Sequence, residues 1–274
     1  MLNSVYEVLN NAKKFLSGAG ILDCSASAEI LLSGVLKIKR SKLAAVREQK
    51  LTGEELALFN AYIQRRAKRE PAAYILGSCE FMGLEFKVNQ NVLIPRPETE
   101  LLVEEVLKSQ GAVLDLCTGS GCIAVSLSKL GKFSEIYASD ISLQALETAK
   151  GNAKLNSAEN IIFLQGDIFS SVKGKKFYII VSNPPYVSEK EYENVEPELK
   201  YEPQIAITTG EGGLFFYKQI AQDAKKYLNA KGQIFLELNA NKSGEIKDIF
   251  LNAGFKDIKI IKDYAGLDRI LKGQ

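Results

Sequence analysis

From Gly111 onward, short apolar runs alternate with amphipathic stretches, and this beat constrains the fold more than any other feature of the chain. The runs are too short for helices and are bounded by Gly, Asp and Asn, as buried strands are. The pattern predicts strands at 112–116, 134–139, 161–165, 177–182, 232–238, 256–261 and 267–271. It predicts helices near 121–130, 142–155, 213–229 and 242–253. Strands that alternate with helices build an α/β domain with a mostly parallel, doubly wound sheet. Only Asp263-Tyr264-Ala265-Gly266 separates the last two runs, so they are expected to form an antiparallel hairpin at one edge.

The chain before this domain reads differently. Val5, Val8, Leu9, Ala12 and Leu16 recur at helical spacing, and Gly18 to Gly20 stop that helix. Ser25-Ala-Ser-Ala-Glu29 is expected to cap a second helix, and Thr52 a third that runs to about Arg69 before Pro71. Residues 1–70 therefore form a small helical domain with no catalytic constellation, and partner recognition is its expected role. In 71–96 the period changes. Tyr74-Ile75-Leu76-Gly77, then Glu80 to Val88, predict a β-hairpin linker. Residues 97–274 form the remaining domain.

Bulk composition excludes more than it assigns. The 274 residues carry 46% apolar and 25% charged side chains and a net charge of +2, values of an ordinary globular protein. Residues 1–80 hold 12 Lys/Arg against 8 Asp/Glu, a mildly basic segment whose charge reads first as a solvated helical surface. There is no histidine, and Cys24, Cys79, Cys117 and Cys122 lack paired CxxC spacing. Zinc sites and Ser-His or Cys-His nucleophiles are thereby disfavoured, and no metal is expected. The opening residues lack a secretory signal pattern, and no apolar run approaches membrane-spanning length. A cytoplasmic protein that does not engage membranes is expected.

Chemistry concentrates at the ends of the predicted strands. Val113-Leu-Asp-Leu-Cys-Thr-Gly-Ser-Gly-Cys-Ile-Ala124 is a strand, a Gly-rich turn and a helix start. Gly119 and Gly121 let the backbone bend and approach a ligand, and the next helix offers free N–H groups. The spacing of Gly119, Gly121 and Ala124 also fits a relaxed dinucleotide motif, so spacing alone leaves NAD open. Asp115, just before the glycines, would repel a pyrophosphate and attract an amino group. Asp140 ends the second strand, where an acid accepts ribose hydroxyls. Asp167 ends the third, placed to bind an adenine amino group with Ile168 packing on the ring. Each acid alone reads more simply as a turn or cap residue.

The fourth strand ends in Asn183-Pro184-Pro185-Tyr186. The two prolines cannot donate to a ladder, and the residue before a proline is held extended. This yields a rigid rim offering an amide oxygen, a proline carbonyl and an aromatic face, suited to a planar –NH2 group. Three acids at three consecutive strand ends, the glycines and this rim together fit S-adenosylmethionine. Its expected contacts are Asp115, Cys117, Thr118, Gly119, Ser120, Gly121, Asp140, Ile141, Asp167, Ile168 and Asn183.

The order DLCTGSG, ASD, GDI, NPPY resembles a class I, Rossmann-like S-adenosylmethionine-dependent methyltransferase acting on planar nitrogen. With ILGSCEFMGLEFKV and LIPRPETELLVE upstream, nearly the whole chain resembles the HemK/PrmC family of peptide chain release factor glutamine N5-methyltransferases. The resemblance implies methyl transfer to the glutamine of the GGQ loop of release factors, with S-adenosylhomocysteine as product, modulating translation termination. It implies a helical domain that grips the factor. Cys117 departs from the pattern, standing where many such enzymes carry a glycine.

On this reading Asn183, Pro184 and Tyr186 carry the chemistry, since a sulfonium donor needs alignment and electrostatics rather than a histidine base. Asn183 Oδ1 and the Pro184 carbonyl accept the two amide N–H groups, Pro185 stiffens the rim, and Tyr186 packs on the amide plane. Arg96 and Glu98 are expected to organise the loop over the cofactor and to count among the substrate-binding residues, with Phe81 or Phe86 walling the pocket. Glu202 and Glu237 are candidates for the substrate side, Glu237 equally a cap. The alternatives are an N6-adenine methyltransferase on DNA or RNA, a non-catalytic release-factor or ribosome binding module, and an NAD-dependent oxidoreductase. No direct nucleic-acid substrate is expected, because no basic groove-forming insertion is present.

Overall fold

The computed structural model describes residues 4–274; residues 1–3, which open the expected helical domain, lie outside it. The described chain divides into two compact units, 1–77 with 197–201, and 78–196 with 202–274.

The first unit is helical. Helix α1 (Val5–Gly18) starts with a capping box in which the Ser4 hydroxyl accepts the Glu7 N–H and the Glu7 carboxylate accepts the Ser4 N–H. Its buried residues Val5, Val8, Ala12 and Leu16 are four of the predicted face. Helix α2 (Cys24–Leu36) does not start at Ser25. Asp23 precedes its first residue, and the Asp23 carboxylate accepts the Ser27 hydroxyl within the same turn. Helix α3 (Gly53–Ala67) opens with a second capping box, Thr52 and Glu55, as the sequence predicts. The expected strand at Tyr74–Gly77 is instead a short helix, α4 (Ala72–Leu76), closed by Gly77 in the left-handed region. Arg66, almost fully buried, pairs with Asp23 and with Glu198 of the 197–201 segment, and Tyr201 donates to the Lys68 carbonyl.

The second unit starts with the hairpin β1 (Ser78–Phe81) and β2 (Leu84–Lys87). The hairpin belongs to this unit's core. Phe81 and Phe86 meet edge to face and bury against Leu102, Val103 and Val106 of helix α5 (Pro97–Val106). Then come β3 (Val113–Leu116), α6 (Cys122–Leu130), β4 (Ile136–Asp140), α7 (Leu143–Leu155), β5 (Ile161–Gln165) and β6 (Phe177–Ser182). The short β7 (Val187–Ser188) and β8 (Thr208–Thr209) pair with one another, flanking α8 (Glu189–Glu193). The turns of α9 (Gly210–Gly213) lead to α10 (Phe215–Tyr227), β9 (Leu228–Glu237), α11 (Ser243–Asn252), β10 (Lys259–Lys262) and β11 (Asp268–Gly273).

Among the described residues the main sheet has seven strands in the order β10-β11-β9-β6-β3-β4-β5. All pairs from β9 to β5 are parallel, whereas β11 is antiparallel to both neighbours. The antiparallel strand is therefore not the outermost one: β11 inserts between β9 and β10. Alternate residues point to opposite faces. Val113, Ile179, Val181 and Phe235 pack towards α5 and α6, and Leu114, Leu116, Ile180, Ile234 and Leu236 towards α10 and α11. The chain runs from β3 to β4 and β5 on one side and returns to β6 on the other. Such a reversal opens a crevice at the carboxyl ends of the central strands, the usual ligand position in open α/β sheets.

Candidate active site

A cavity of about 120 Å³ lies at those strand ends. Its floor is the β3–α6 turn. The Thr118 N–H donates to the Ser139 carbonyl and the Gly119 N–H to Asp140 Oδ2, so the turn is fastened to the end of β4. Cys117 adopts φ +58°, the left-handed region the missing glycine would take freely. For a side chain with a Cβ this costs about 1–2 kcal/mol. The cysteine is thus accommodated with strain, and burial pushes its thiol pKa up. Gly121 is closely packed: a Cβ there would lie 2.9 Å from that of Ala149 in α7.

The acids occupy two environments. Asp140 and Asp167 line the cavity. Asp140 Oδ1 accepts the Ser142 N–H and Oδ2 the Gly119 N–H, so the residue is a turn organiser as well as a wall of the cavity. An ionised carboxylate has about four acceptor positions, so each oxygen keeps capacity for a ligand hydroxyl. Burial raises the Asp140 pKa against these N–H donors. Asp115 is fully buried and does not line the cavity. Its Oδ2 accepts the Thr118 hydroxyl and the Ala124 N–H, and among the described residues Oδ1 has no hydrogen-bond partner. Burial pushes its pKa up to about 7.

Of the expected cofactor residues, Cys117, Gly119, Asp140, Ile141, Asp167, Ile168 and Asn183 line the cavity, and Asp115, Thr118, Ser120 and Gly121 stand behind it. Asn91, Val92 and Leu93 from the loop after the hairpin join the wall, as do Ile205, Ala206 and Phe216. The lining contains no Lys or Arg. An acidic wall without a cation suits a positively charged ligand and disfavours a pyrophosphate.

The rim is braced from behind. Asn183 and Pro185 line the cavity, while Pro184 is buried and its carbonyl accepts no hydrogen bond among the described residues. Asn183 Nδ2 donates to Thr99 Oγ1 at 3.2 Å, and Thr99 Oγ1 donates to Glu237 Oε2 at 2.6 Å. Tyr186 Oη donates to Glu237 Oε1 at 3.3 Å, and Tyr217 Oη to the Glu237 carbonyl at 2.8 Å. Burial raises the Glu237 pKa to about 6, and burial likewise raises that of Tyr186. Phe81 and Phe86, expected to wall the pocket, lie in the core and take no part.

Arg96 forms a short ion pair with buried Glu202, which also accepts the Ile94 N–H at 2.8 Å. This clasp holds the strap that carries Asn91 to Leu93. Glu98 is exposed in the first turn of α5, whereas Glu100 accepts the Met82 N–H. Thr99, within LIPRPETELLVE, is a site residue that sequence reasoning misses; its signal is a short hydroxyl side chain on the inward side of a first helical turn. Among the described residues no group of His, Cys, Asp or Glu is arranged to hold a metal ion.

Residues 7–77 match the PrmC N-terminal domain family, and residues 97–200 the methyltransferase small domain family. A release factor glutamine methyltransferase of Thermodesulfovibrio yellowstonii is 42% identical over 252 residues, 89% of this chain and 90% of that one. The chain belongs to the release factor glutamine methyltransferase family. Another member, from Geobacter sulfurreducens, is 38% identical over 99% of this chain and 96% of its own length. A solved methyltransferase from Pyrococcus furiosus superposes with a TM-score of 0.56 at 20% identity, covering 78% of this chain and 96% of that one. That likeness concerns the fold. Membership implies S-adenosylmethionine as methyl donor for this family's chains.

Proposed function

We propose that the protein transfers a methyl group from S-adenosylmethionine to the N5 side-chain nitrogen of the GGQ glutamine in peptide chain release factors, releasing S-adenosylhomocysteine and tuning translation termination. The observation that carries this reading is the cavity with an acidic wall and no Lys or Arg in its lining, opening onto an asparagine whose amide oxygen is unengaged among the described residues. When bound, S-adenosylmethionine supplies a methyl group already activated by its sulfonium charge. Asp140 holds the ribose, Asp167 and Ile168 the adenine, and the strained turn at Cys117 to Gly121 the remainder. Asp115, buried behind the turn, holds the Thr118 hydroxyl and the Ala124 N–H and so fixes the turn that faces the cofactor. No metal is required, because alignment and charge stabilisation suffice for an already activated methyl.

A glutamine amide nitrogen is a weak nucleophile, its lone pair being shared with the carbonyl. Asn183 Oδ1 and the Pro184 carbonyl accept its two N–H groups, aim the nitrogen, and stabilise the positive charge that grows as the new bond forms. Tyr186 backs the amide plane while its hydroxyl is held by Glu237. The helical unit of 1–77 with 197–201 grips the body of the factor, and no membrane or nucleic-acid substrate is involved. Among the described residues no helix is long and apolar enough to cross a membrane. The test is transfer of labelled methyl to a purified release factor, its GGQ-to-GGA variant, DNA and RNA. Label on the wild-type factor alone is expected; label on nucleic acid would replace this reading with adenine methylation.

A further inference from the structure

The hydroxyl and carboxylate behind the rim bear on a question the sequence leaves open: which end of the Asn183 amide faces the acceptor. An asparagine side chain presents an acceptor at one end and two donors at the other, and it rotates readily when unrestrained. Only the oxygen helps an incoming –NH2 group; the turned amide opposes donors to donors.

The protons available along the chain of contacts set the direction. Glu237 accepts at both oxygens, from Thr99 at Oε2 and from Tyr186 at Oε1. An ionised carboxylate can only accept, so the single hydroxyl proton of Thr99 is committed to it. Thr99 Oγ1 then has only lone pairs to offer Asn183, and the group it contacts at 3.2 Å is the Asn183 nitrogen. Oδ1 is left towards the cavity, with no partner among the described residues. Thr99 is 2% and Glu237 1% exposed, so bulk water cannot replace either contact. Packing fixes the three residues as well: Thr99 lies in the first turn of α5, and Tyr217 anchors the Glu237 backbone.

We propose that Thr99 and Glu237 are positioning residues, a two-step polar relay that locks the Asn183 amide with its oxygen towards the acceptor nitrogen. The inference rests on the glutamine-methylation reading for its acceptor, but its geometry serves any planar –NH2 group. It also implies a pH response. Glu237 faces the Thr99, Tyr186 and Tyr217 hydroxyls, the Arg269 guanidinium from β11 (itself paired with Asp263) and the Glu98 carboxylate from α5. Burial, with a smaller contribution from Glu98, lifts its carboxyl to about 6 although Arg269 and the hydroxyls oppose this. Once protonated it must donate to one of the hydroxyls it now accepts from. If that is Thr99, the Thr99 proton turns to Asn183 and the amide reverses.

The test compares Thr99→Val, which keeps shape and loses the hydroxyl, with Thr99→Ser, which keeps it. Readouts are kcat for release-factor methylation, the cofactor Kd, its pH profile, and the Asn183 side-chain amide signals in 15N NMR, assigned through Asn183→Ala. Thr99→Val is expected to lower kcat about 30-fold or more, as loss of one charge-stabilising contact does, with cofactor Kd within about twofold. Thr99→Ser should recover to within about fivefold, since its hydroxyl can make the same two contacts. The wild-type kcat should rise through about pH 6, and Thr99→Val should lose that limb. The Asn183 amide protons should be protected from exchange in wild type and Thr99→Ser and unprotected in Thr99→Val. A folded Thr99→Val with wild-type kcat, pH limb and amide protection would overturn the relay. Should wild type fail to methylate the factor, the substrate assignment falls, and amide protection alone decides for or against the relay.

Discussion

Replacing Gly121 with alanine sets a methyl group 2.9 Å from the Ala149 Cβ and 3.2 Å from its Cα. Neither atom belongs to a flexible side-chain end, because Ala149 sits within α7. The left-handed backbone, φ +79°, adds about 1–2 kcal/mol for a residue with a Cβ. Overpacking against a helix adds roughly 1–3 kcal/mol. The lower chain entropy of unfolded alanine offsets about 0.5–1 kcal/mol. The net loss is about 1–4.5 kcal/mol, or roughly 2–18 °C in Tm for a domain of this size. Gly119 makes the control. It too is left-handed, φ +55°, but a Cβ there meets nothing nearer than the Cys117 carbonyl at 4.0 Å. Gly119→Ala should cost about 0–1.5 kcal/mol in stability, the backbone strain less the entropy offset. It should weaken cofactor binding about tenfold or more, because the new methyl stands in the cavity wall, where misfit of a few atoms costs 1–3 kcal/mol. Unfolding in urea followed by circular dichroism suits a chain without tryptophan, and calorimetry gives the cofactor Kd. A Gly121→Ala loss under about 0.5 kcal/mol, the range of unremarkable substitutions, would refute the packing argument, as would a larger stability loss for Gly119→Ala.

Other expected outcomes concern the rim, the strap and the buried acid. Asn183→Ala should reduce kcat about a hundredfold or more while cofactor Kd, read by calorimetry, changes little. Glu202→Ala strands the buried Ile94 N–H and releases Arg96, costing about 1–3 kcal/mol, and should raise the cofactor KM by loosening Asn91 to Leu93. Asp115 has a folded carboxyl raised to about 7 against an ordinary 3.8. The folded state therefore holds the proton more tightly, and this contribution to stability is full below pH 3.8 and lost as pH rises through 7. Melting curves of wild type and Asp115→Asn should diverge in the variant's favour between those values and run parallel above them.

Most of the fold was legible because local pattern and final environment agree. The runs at 161–165 and 177–182 are strands over those same residues, and Thr52 caps α3. Tyr74-Ile75-Leu76 misled because three apolar residues before a glycine suit a strand end and a helical last turn equally; Gly77 in the left-handed region is the C-cap signal that decides. The place of β11 between β9 and β10 was not readable, since a short turn fixes that two strands pair but not which of them faces the sheet. Asp140, Asp167 and Asn183 could be found because strand ends collect ligands in this architecture. Thr99 could not, because its meaning depends on Glu237, 138 residues away, and on a hydroxyl direction that only the packed structure defines. Asp115 illustrates a different limit: its position before the glycines is plain, but its burial behind the turn is a tertiary fact.

The most direct test of the central claim is the identity of the methylated atom. A purified release factor incubated with the protein and S-adenosylmethionine would be digested and its peptides fragmented by mass spectrometry, with amino-acid analysis of the modified peptide. One added methyl group on the GGQ glutamine, recovered as N5-methylglutamine, is the predicted result. A methyl group on any other atom of the factor, or none on the factor and N6-methyladenine in a parallel nucleic-acid reaction, would contradict it.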